Sequence, residues 1–312
     1  MHASVLSPRA RLPLTVIGGF LGAGKTTLLN RLLQQSRGRR HAVLVNDFGS
    51  INVDAALIAE KSGDAIALTN GCACCSIGGD LTAALIRVLE APLPFDEIFI
   101  EASGVSDPWK IAQVALADSA LGLNGVIVLV DASACLLHAA DPLLADSLER
   151  QLRSADIIVV NKIDQVEAAE RERVHQWLAT FTNRTPCFEA THADVPIELI
   201  SGGALSEIDD RDEPSGAHDH ANGFSTWSGR PERVFPASEL RAFLRDMPTG
   251  VLRLKGFIRT DEHGWAELQF SGRHGSLRRA ITEPATGPAV VAIGLTDQLP
   301  RQLLEAVFGV AA

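Results

Sequence analysis

Short apolar segments alternate with amphipathic segments through the first two thirds of the chain. The apolar segments are continuous and rich in Val and Ile, which is typical of strands buried on both faces of a parallel sheet. They cover residues 14–18, 42–46, 97–101, 126–131 and 157–161. In the amphipathic segments, such as 25–35, leucines recur at helical spacing between polar residues. The alternation predicts an α/β domain with a doubly wound, mostly parallel sheet that binds ligands at the carboxyl ends of its strands.

The pattern changes after Ile200, where residues 201–223 are polar, contain Gly and Pro and have almost no large apolar side chain. This composition predicts a flexible, acidic linker that carries His218 and His220. We therefore expect a first domain over 12–200 and a second domain over 224–312. In the second domain, apolar periodicity predicts helices over 238–246 and 298–308 and strands near 251–259, 265–270 and 289–294. The second domain should be a smaller α+β domain.

Composition and charge narrow the class of protein. The 312 residues include 28 Lys and Arg against 38 Asp and Glu, a net charge of −10, which argues against binding to nucleic acid or to an anionic membrane surface. No segment approaches the roughly 18 apolar residues of a membrane span, and residues 1–13 lack the apolar core of a secretion signal. Three of the five cysteines lie within 72–75, which is more typical of a reduced metal-binding or redox-active cluster than of disulfides. We expect a cytoplasmic protein.

Residues 19–26 match the phosphate-loop pattern G-x-x-x-x-G-K-[ST], between a predicted strand and a predicted helix. Glycines in such a loop can adopt positive φ, so that successive backbone N–H groups converge on phosphate oxygens at the start of the helix. Lys25 would bridge the terminal phosphates, the Thr26 hydroxyl would bind Mg²⁺ and Thr27 would reach the α-phosphate. The expected nucleotide contacts are Gly19, Gly22, Ala23, Gly24, Lys25, Thr26 and Thr27.

A motif that can read guanine follows the strand predicted over 157–161. Asn161, Lys162 and Asp164 match N-K-x-D. The Asp164 carboxylate can accept hydrogen bonds from the N1–H and the exocyclic amine of guanine, a pair of donors that adenine lacks. Asn161 would brace the loop, and the Lys162 stem would pack on the base. Four residues alone are a weak match, but downstream of a phosphate loop the motif favours GTP over ATP.

A second ligand on the Mg²⁺ side should come from another strand end, and two acids compete for that role. Glu101 ends one predicted strand and is followed by Gly104, whose N–H could respond to the γ-phosphate. Asp131 ends another predicted strand, and there we interpret it as the cap of a following helix in preference to a metal ligand. We favour Glu101, because Glu-x-x-Gly supplies both functions. Asp47, after the second strand, could hold the attacking water, although the same residues would serve as a turn.

Cys72, Cys74 and Cys75 lie between the phosphate loop and Glu101, before a predicted helix. Thiolates are soft ligands that select Zn²⁺, Cu(I) or iron–sulfur clusters, and a helix N-terminus lowers the pKa of a thiol. Zinc usually takes four ligands, so three cysteines leave a position open to a carboxylate, a histidine, water or a partner protein. Such an open site suits metal transfer better than permanent structure. The isolated Cys135 and Cys187 are interpreted as small buried hydrophobic residues.

Together these motifs resemble the CobW family of P-loop GTPases, relatives of the hydrogenase and urease nickel-insertion GTPases HypB and UreG. The resemblance rests on G-F-L-G-A-G-K-T-T from Gly19, N-D-F-G from Asn46, N-G-C-x-C-C from Asn70, E-x-S-G-x-x-x-P from Glu101, N-K-x-D from Asn161 and K-G-F from Lys255. It implies a P-loop GTPase domain followed by the family's C-terminal domain. It also implies that GTP and Mg²⁺ are cofactors, that the cysteines bind a transition metal near the nucleotide, most simply Zn²⁺, and that the metal is delivered to a client metalloprotein.

Asp47 and Ser50 stand where the family commonly has glutamates. In relatives the second of these glutamates can contribute to metal binding, so Ser50 leaves the fourth ligand of the cysteine-bound metal open. The client and any homo-oligomeric state are also not encoded in a readable motif.

Three other functions remain as alternatives: assistance in cobalamin cofactor assembly, a small-molecule kinase that uses the same loop, and a zinc or redox sensor that binds GTP but barely hydrolyses it.

Overall fold

The computed structural model describes residues 11–35, 39–45, 77–182, 185–201, 219–220, 224–272, 274–280, 283–284 and 287–309, with the backbone alone for 77–80 and 219–220. These residues form two compact units, one within Leu12–Gly202 and one within Gly203–Ala312. Each unit has its own sheet and its own apolar core.

The described strands of the first unit form a parallel sheet. They are β1 Leu12–Gly19, β2 His41–Val45, β3 Glu97–Glu101, β4 Leu121–Asp131, β5 Ile157–Asn161 and β6 Cys187–Glu189. Their order across the sheet is β2-β3-β1-β4-β5-β6, and every neighbouring pair is parallel. The carboxyl ends of β1, β3, β4 and β5 therefore share one edge, where the chain places Gly19, Glu101, Asp131 and Asn161. This architecture confirms the predicted doubly wound fold class.

The described helices of the first unit connect these parallel strands, except for the last one, which follows β6. They are α1 Lys25–Gln34, α2 Ile77–Leu89, α3 Pro108–Ala117, α4 Cys135–Ala140, α5 Ala145–Ser154, α6 Ala168–Ala179 and α7 Ile197–Ile200. At the start of α3 the sequence provides for unpaired N–H groups: the Asp107 side chain accepts from Trp109 N, and Pro108 occupies the first position. On α5 the residues Leu148, Gln151 and Leu152 form the buried stripe.

The core of the first unit lies between the sheet and its helices. The strand residues are apolar on both faces, so β3, β4 and β5 are almost entirely buried. At the amino ends of β1 and β3, a buried polar network crosses the sheet. The Glu97 carboxylate accepts from Ser201 Oγ at 2.6 Å and from Thr15 Oγ1 at 3.2 Å, and Asn124 Nδ2 donates to Thr15 Oγ1 at 2.7 Å. Ser201, the first residue of the predicted linker, is therefore part of this buried network.

The described part of the second unit is a sheet with two helices. Its strands are β7 Asp219–His220, β8 Phe224–Gly229, β9 Val234–Phe235, β10 Val251–Thr260, β11 Gly264–Ser271, β12 His274–Arg279 and β13 Ala289–Leu295, and its helices are α8 Ala237–Arg245 and α9 Arg301–Phe308. The order is β12-β11-β10-β13-β8-β7, with antiparallel neighbours, while β9 pairs parallel to β10. This confirms the predicted smaller α+β fold. Two residues of the predicted linker, Asp219 and His220, pair with β8.

Among the described residues, no helix has the length and the apolar character needed to cross a membrane.

Candidate functional site

The phosphate-loop sequence forms a turn between β1 and α1. Gly22 and Gly24 have φ values of 79° and 104°, and α1 begins directly after Gly24. The Ala23 carbonyl accepts a hydrogen bond from Asn161 Nδ2 at 2.9 Å, and a Cβ on Gly24 would collide with the same amide. Gly24 is thus required both by its backbone conformation and by the close approach of Asn161.

Lys25 closes this loop from inside. Its ammonium group donates to the carbonyl oxygens of Gly19 at 2.9 Å and Phe20 at 3.1 Å, and only 6% of the residue is exposed. A buried ammonium at the N-terminus of a helix creates a strongly cationic site, which suits a polyphosphate. Thr27, on the first turn of α1, is exposed.

Thr26 and Glu101 meet beside the loop. The Thr26 hydroxyl donates to the Glu101 carboxylate, with 3.2 Å to Oε1 and 3.4 Å to Oε2, and Glu101 is 3% exposed. The parallel register brings them together, because Ile17 of β1 pairs with Glu101 of β3. Ser103 has a buried hydroxyl without a hydrogen-bond partner in the described part of the chain. Hydroxyl and carboxylate oxygens are the ligands that Mg²⁺ prefers, so the residues present fit this ion.

Gly104 packs directly on the phosphate loop. A Cβ added to Gly104 would lie 2.9 Å from the backbone N of Leu21. Gln151 joins the same two segments, because its side chain accepts from Gly19 N at 3.0 Å and donates to Gly104 O at 2.8 Å. Sequence reasoning missed Gln151. The available signal was a glutamine at an inward position of an amphipathic helix, between Leu148 and Leu152.

The N-K-x-D motif is organised by Asn161. This residue is 2% exposed, and its Oδ1 accepts from Ala193 N at 2.8 Å while its Nδ2 holds the phosphate loop. His192 and Ala193 both have positive φ, of 52° and 53°. The loop after β6 is therefore a further wall of the site that sequence reasoning missed, since β6 is too short to give a pattern. The Asp164 carboxylate is exposed and has no partner among the described residues, so it is available to a ligand.

Asp131, the rival candidate for the Mg²⁺ side, has other partners. Its Oδ2 lies 2.6 Å from Lys162 Nζ, and its Oδ1 accepts from the backbone N of Ser133 at 3.0 Å and from its hydroxyl at 2.7 Å. Burial by itself would raise the pKa of Asp131, but the hydrogen bonds from Lys162 and Ser133 outweigh it and lower that pKa. Asp131 thus caps the turn after β4 and holds Lys162, whereas Glu101 contacts Thr26.

Several predicted residues lie outside the described residues: Asp47, Ser50, Cys72, Cys74, Cys75 and His218. The two isolated cysteines are described. Cys135 is buried and Cys187 is half-buried. Burial raises the pKa of Cys135 to about 11 and that of Cys187 to about 12, so both thiols are protonated at neutral pH and are poor metal ligands.

Two family models match the chain. The CobW/HypB/UreG nucleotide-binding domain matches residues 13–189, and the cobalamin synthesis protein cobW C-terminal domain matches residues 224–311. The first match includes the phosphate loop, Glu101 and the N-K-x-D motif. The second covers the described strands and helices of the second unit from β8 onwards.

Curated relatives and solved structures are also similar. The zinc chaperone YjiA of Escherichia coli (strain K12) is 37% identical over 198 residues, which are 61% of this chain and 60% of that protein. The zinc chaperone CobW of a Sinorhizobium species is 32% identical over 291 residues, which are 80% of this chain and 82% of that protein. The crystal structure of Zn(II)-bound YjiA GTPase from E. coli is 24% identical, with a TM-score of 0.47 and coverage of 96% of this chain and 98% of that one. The predicted resemblance is confirmed: this chain belongs to the CobW/HypB/UreG family and carries both the nucleotide-binding domain and the CobW C-terminal domain.

Proposed function

We propose that this chain is a GTP-binding and GTP-hydrolysing metallochaperone that takes up Zn²⁺ at Cys72, Cys74 and Cys75 and delivers it to a client metalloprotein. The observation that carries the GTPase part is the contact of the Thr26 hydroxyl with the Glu101 carboxylate at 3.2 Å, next to Lys25. Thr26 and Glu101 would hold Mg²⁺ through these oxygens, and the ion would supply positive charge that neutralises the phosphates of bound GTP.

The choice of GTP rests on the loop after β5. Asn161 fixes this loop to the phosphate loop, and Lys162 is held by Asp131 at 2.6 Å. Asp164 is exposed, and its carboxylate can accept both guanine donors. Adenine has an amino group but no N1–H, so it would leave one oxygen of the Asp164 carboxylate without a donor.

The choice of zinc rests on sulfur chemistry and on family membership. Three cysteines within four positions supply soft ligands. Three similar proteins are named zinc chaperones. Two others, from Schizosaccharomyces pombe and Dictyostelium discoideum, are named zinc-regulated GTPase metalloprotein activators. Cysteines need a reducing compartment to remain thiols, so the proposal includes a cytoplasmic location. The client is an unidentified metalloprotein.

In the proposed cycle, GTP hydrolysis controls release of the metal. The γ-phosphate is bound by Lys25 and the Gly104 N–H, with Asp47 holding the attacking water. When hydrolysis removes the γ-phosphate, its contacts with Lys25 and Gly104 are lost. This loss would change the geometry of the cysteine segment, which lies between the phosphate loop and Glu101 in the sequence. Intrinsic hydrolysis should be slow, because the motifs contain no arginine that could reach the γ-phosphate in cis.

Two variants test the two halves of this proposal in the full chain. Cys74→Ser should abolish stoichiometric Zn²⁺ binding and keep GDP affinity, whereas Lys25→Ala should abolish nucleotide binding and keep Zn²⁺ binding in the absence of nucleotide. Zinc affinity is measured by competition with a chromophoric chelator, without nucleotide, with GTP and Mg²⁺, and with GDP and Mg²⁺. Free phosphate from labelled GTP supports a GTPase, and a phosphorylated metabolite would support a kinase. Equal zinc affinities with GTP and GDP would contradict the coupling and support a sensor.

A further inference from the structure

Gln151 of α5 joins two loops of the nucleotide site. The residue has no exposed surface, its Oε1 accepts from the Gly19 N–H at 3.0 Å, and its Nε2 donates to the Gly104 carbonyl at 2.8 Å. An amide N–H donates and a carbonyl accepts, so the two partners determine which end of the Gln151 side chain carries the oxygen. This position therefore needs a side chain with one acceptor and one donor, which neither a leucine nor a glutamate supplies.

The segment that Gln151 holds is the one that follows Glu101. Ser147, one helical turn before Gln151, donates its hydroxyl to the next carbonyl, that of Val105, at 3.1 Å. Helix α5 thus supplies donors to two successive carbonyls of this segment. The backbone of Gly104 approaches Leu21 so closely that a Cβ would lie 2.9 Å from the Leu21 N. The segment is therefore packed on the phosphate loop without an intervening side chain.

Glu101, at the other end of the segment, contacts Thr26. Residues 101–104 are consequently fastened to the phosphate loop at both ends, by Thr26 near one end and by Gln151 near the other. The contact between Thr26 and Glu101 involves groups that bind Mg²⁺ in the proposed function. The hydrogen bonds of Gln151 involve neither nucleotide nor metal, so they can remain when GTP binds.

We propose that Gln151 is a positioning residue, which holds the Gly104 N–H within reach of the γ-phosphate and so makes the site distinguish GTP from GDP. This inference rests on the proposed GTPase function. Because GDP has no γ-phosphate, the binding of GDP does not use the Gly104 N–H. A merely structural role for Gln151 would weaken both nucleotides equally.

Two variants test this in the full chain. Gln151→Leu removes both hydrogen bonds, and Gln151→Glu keeps an acceptor for Gly19 but places an oxygen against the Gly104 carbonyl. For both, we expect the GDP Kd to stay within about threefold, the preference for a non-hydrolysable GTP analogue over GDP to fall about tenfold, and kcat for GTP to fall about 100-fold, as misplaced reacting groups do. Ser147→Ala should produce a change of the same kind but smaller.

Asn124→Ala is the matched control. Asn124 is also a buried amide of the first unit, with hydrogen bonds to Thr15 and the Ile200 carbonyl, but it lies at the amino ends of the strands. This variant should lower the melting temperature and leave the GTP-to-GDP preference and kcat within about twofold of wild type.

The outcomes separate the inference from the proposed function. If wild type hydrolyses GTP and the Gln151 variants keep kcat and nucleotide preference within about twofold, the inference is wrong and the GTPase stands. Equal loss of GDP and GTP analogue affinity would also overturn it, in favour of a structural role. If wild type binds GTP without hydrolysing it, the GTPase proposal is wrong, and the affinity ratio of the variants still decides about Gln151. A wild-type chain that binds neither nucleotide would overturn both.

Discussion

Lys162 donates from its ammonium group to the Asp131 carboxylate at 2.6 Å, which joins the end of β4 to the N-K-x-D motif after β5. Lys162 has a φ of 62°, a conformation that costs a non-glycine residue about 1 kcal/mol or more. The register of the sheet makes the ion pair possible, because Asp131 pairs with Asn161, the residue before Lys162. The acid that ends β4 therefore orders the lysine that would cover the guanine base.

Asp131→Asn should weaken GTP binding by about tenfold, because the ion pair that orders Lys162 is replaced by a hydrogen bond from its ammonium group to an uncharged amide oxygen. The preference for GTP over ATP should fall as well. Both are measured by fluorescence titration with labelled nucleotides. Glu149→Gln, which removes an exposed ion pair with Arg153 on α5, is the control and should change neither. Unchanged GTP affinity in the Asp131 variant would show that the pair does not serve the base site.

The pH dependence of this pair follows from the lowered pKa of Asp131. A folded pKa below the ordinary value of 3.8 contributes stability that is present above 3.8 and is lost as the pH falls through the folded value. We therefore expect the contribution of Asp131 to stability to be constant between about pH 5 and pH 8. The difference in unfolding free energy between wild type and Asp131→Asn should shrink only in acid, as measured by urea denaturation at several pH values.

Sequence patterns predicted the parts of this fold whose residues face an apolar environment throughout. The predicted strands 97–101 and 157–161 coincide with β3 and β5. By contrast, β4 begins at Leu121, five residues before the predicted start, because Gly122, Asn124 and Gly125 interrupt its apolar pattern. Asn124 belongs in the strand because Thr15 and the Ile200 carbonyl, distant in sequence, accept its hydrogen bonds. The apolar periodicity of a sequence depends only on the type of each side chain, so it does not reveal these distant hydrogen-bond partners.

The candidate site shows the same division. The phosphate-loop pattern and the pairing of Thr26 with Glu101 could be anticipated from motifs, since parallel strand ends meet at one edge. Gln151 could not, because its role depends on two backbone groups, Gly19 N and Gly104 O, that become neighbours only in the folded sheet. The same holds for Ala193, whose N–H binds Asn161.

Two buried glutamates at opposite ends of β3 provide a matched test of the proposed Mg²⁺ site. Glu101→Gln should lower Mg²⁺-dependent GTP hydrolysis about 100-fold, because the carboxylate beside Thr26 loses its charge. Glu97→Gln should instead lower the free energy of unfolding by about 1–3 kcal/mol, since Glu97 accepts from Thr15 and Ser201. The dependence of GTP hydrolysis on Mg²⁺ concentration should be the same in Glu97→Gln as in wild type. Similar Mg²⁺ titrations for both variants would remove Glu101 from the metal site.

Gly22 and Gly24 should respond differently to alanine. Gly22 has a φ of 79° and open space around an added Cβ, so Gly22→Ala should cost about 1 kcal/mol of backbone strain. Gly24 has a φ of 104°, and its Cβ would displace the Asn161 amide from Ala23. Gly24→Ala should therefore cost about 3 kcal/mol, as strain and a lost buried hydrogen bond add. Urea denaturation of the nucleotide-free protein measures both. Equal costs would mean that Asn161 does not pack against Gly24.

The cysteines should divide into two reactivity classes. Burial raises the pKa of Cys135 to about 11 and that of Cys187 to about 12, so iodoacetamide at pH 7.5 should leave both unmodified in the folded protein and should modify Cys72, Cys74 and Cys75 when zinc is absent. Zinc should protect these three cysteines from alkylation. Rapid alkylation of Cys135 at pH 7.5, detected by mass spectrometry of the intact folded protein, would contradict this assignment.

The raised pKa of Cys135 also predicts how stability depends on pH. A thiol with a raised pKa contributes stability that is present below its unfolded value of 9.0 and is lost as the pH rises through the folded value. The unfolding free energy should therefore fall from pH 9 towards pH 11, and this fall should be smaller in Cys135→Ala.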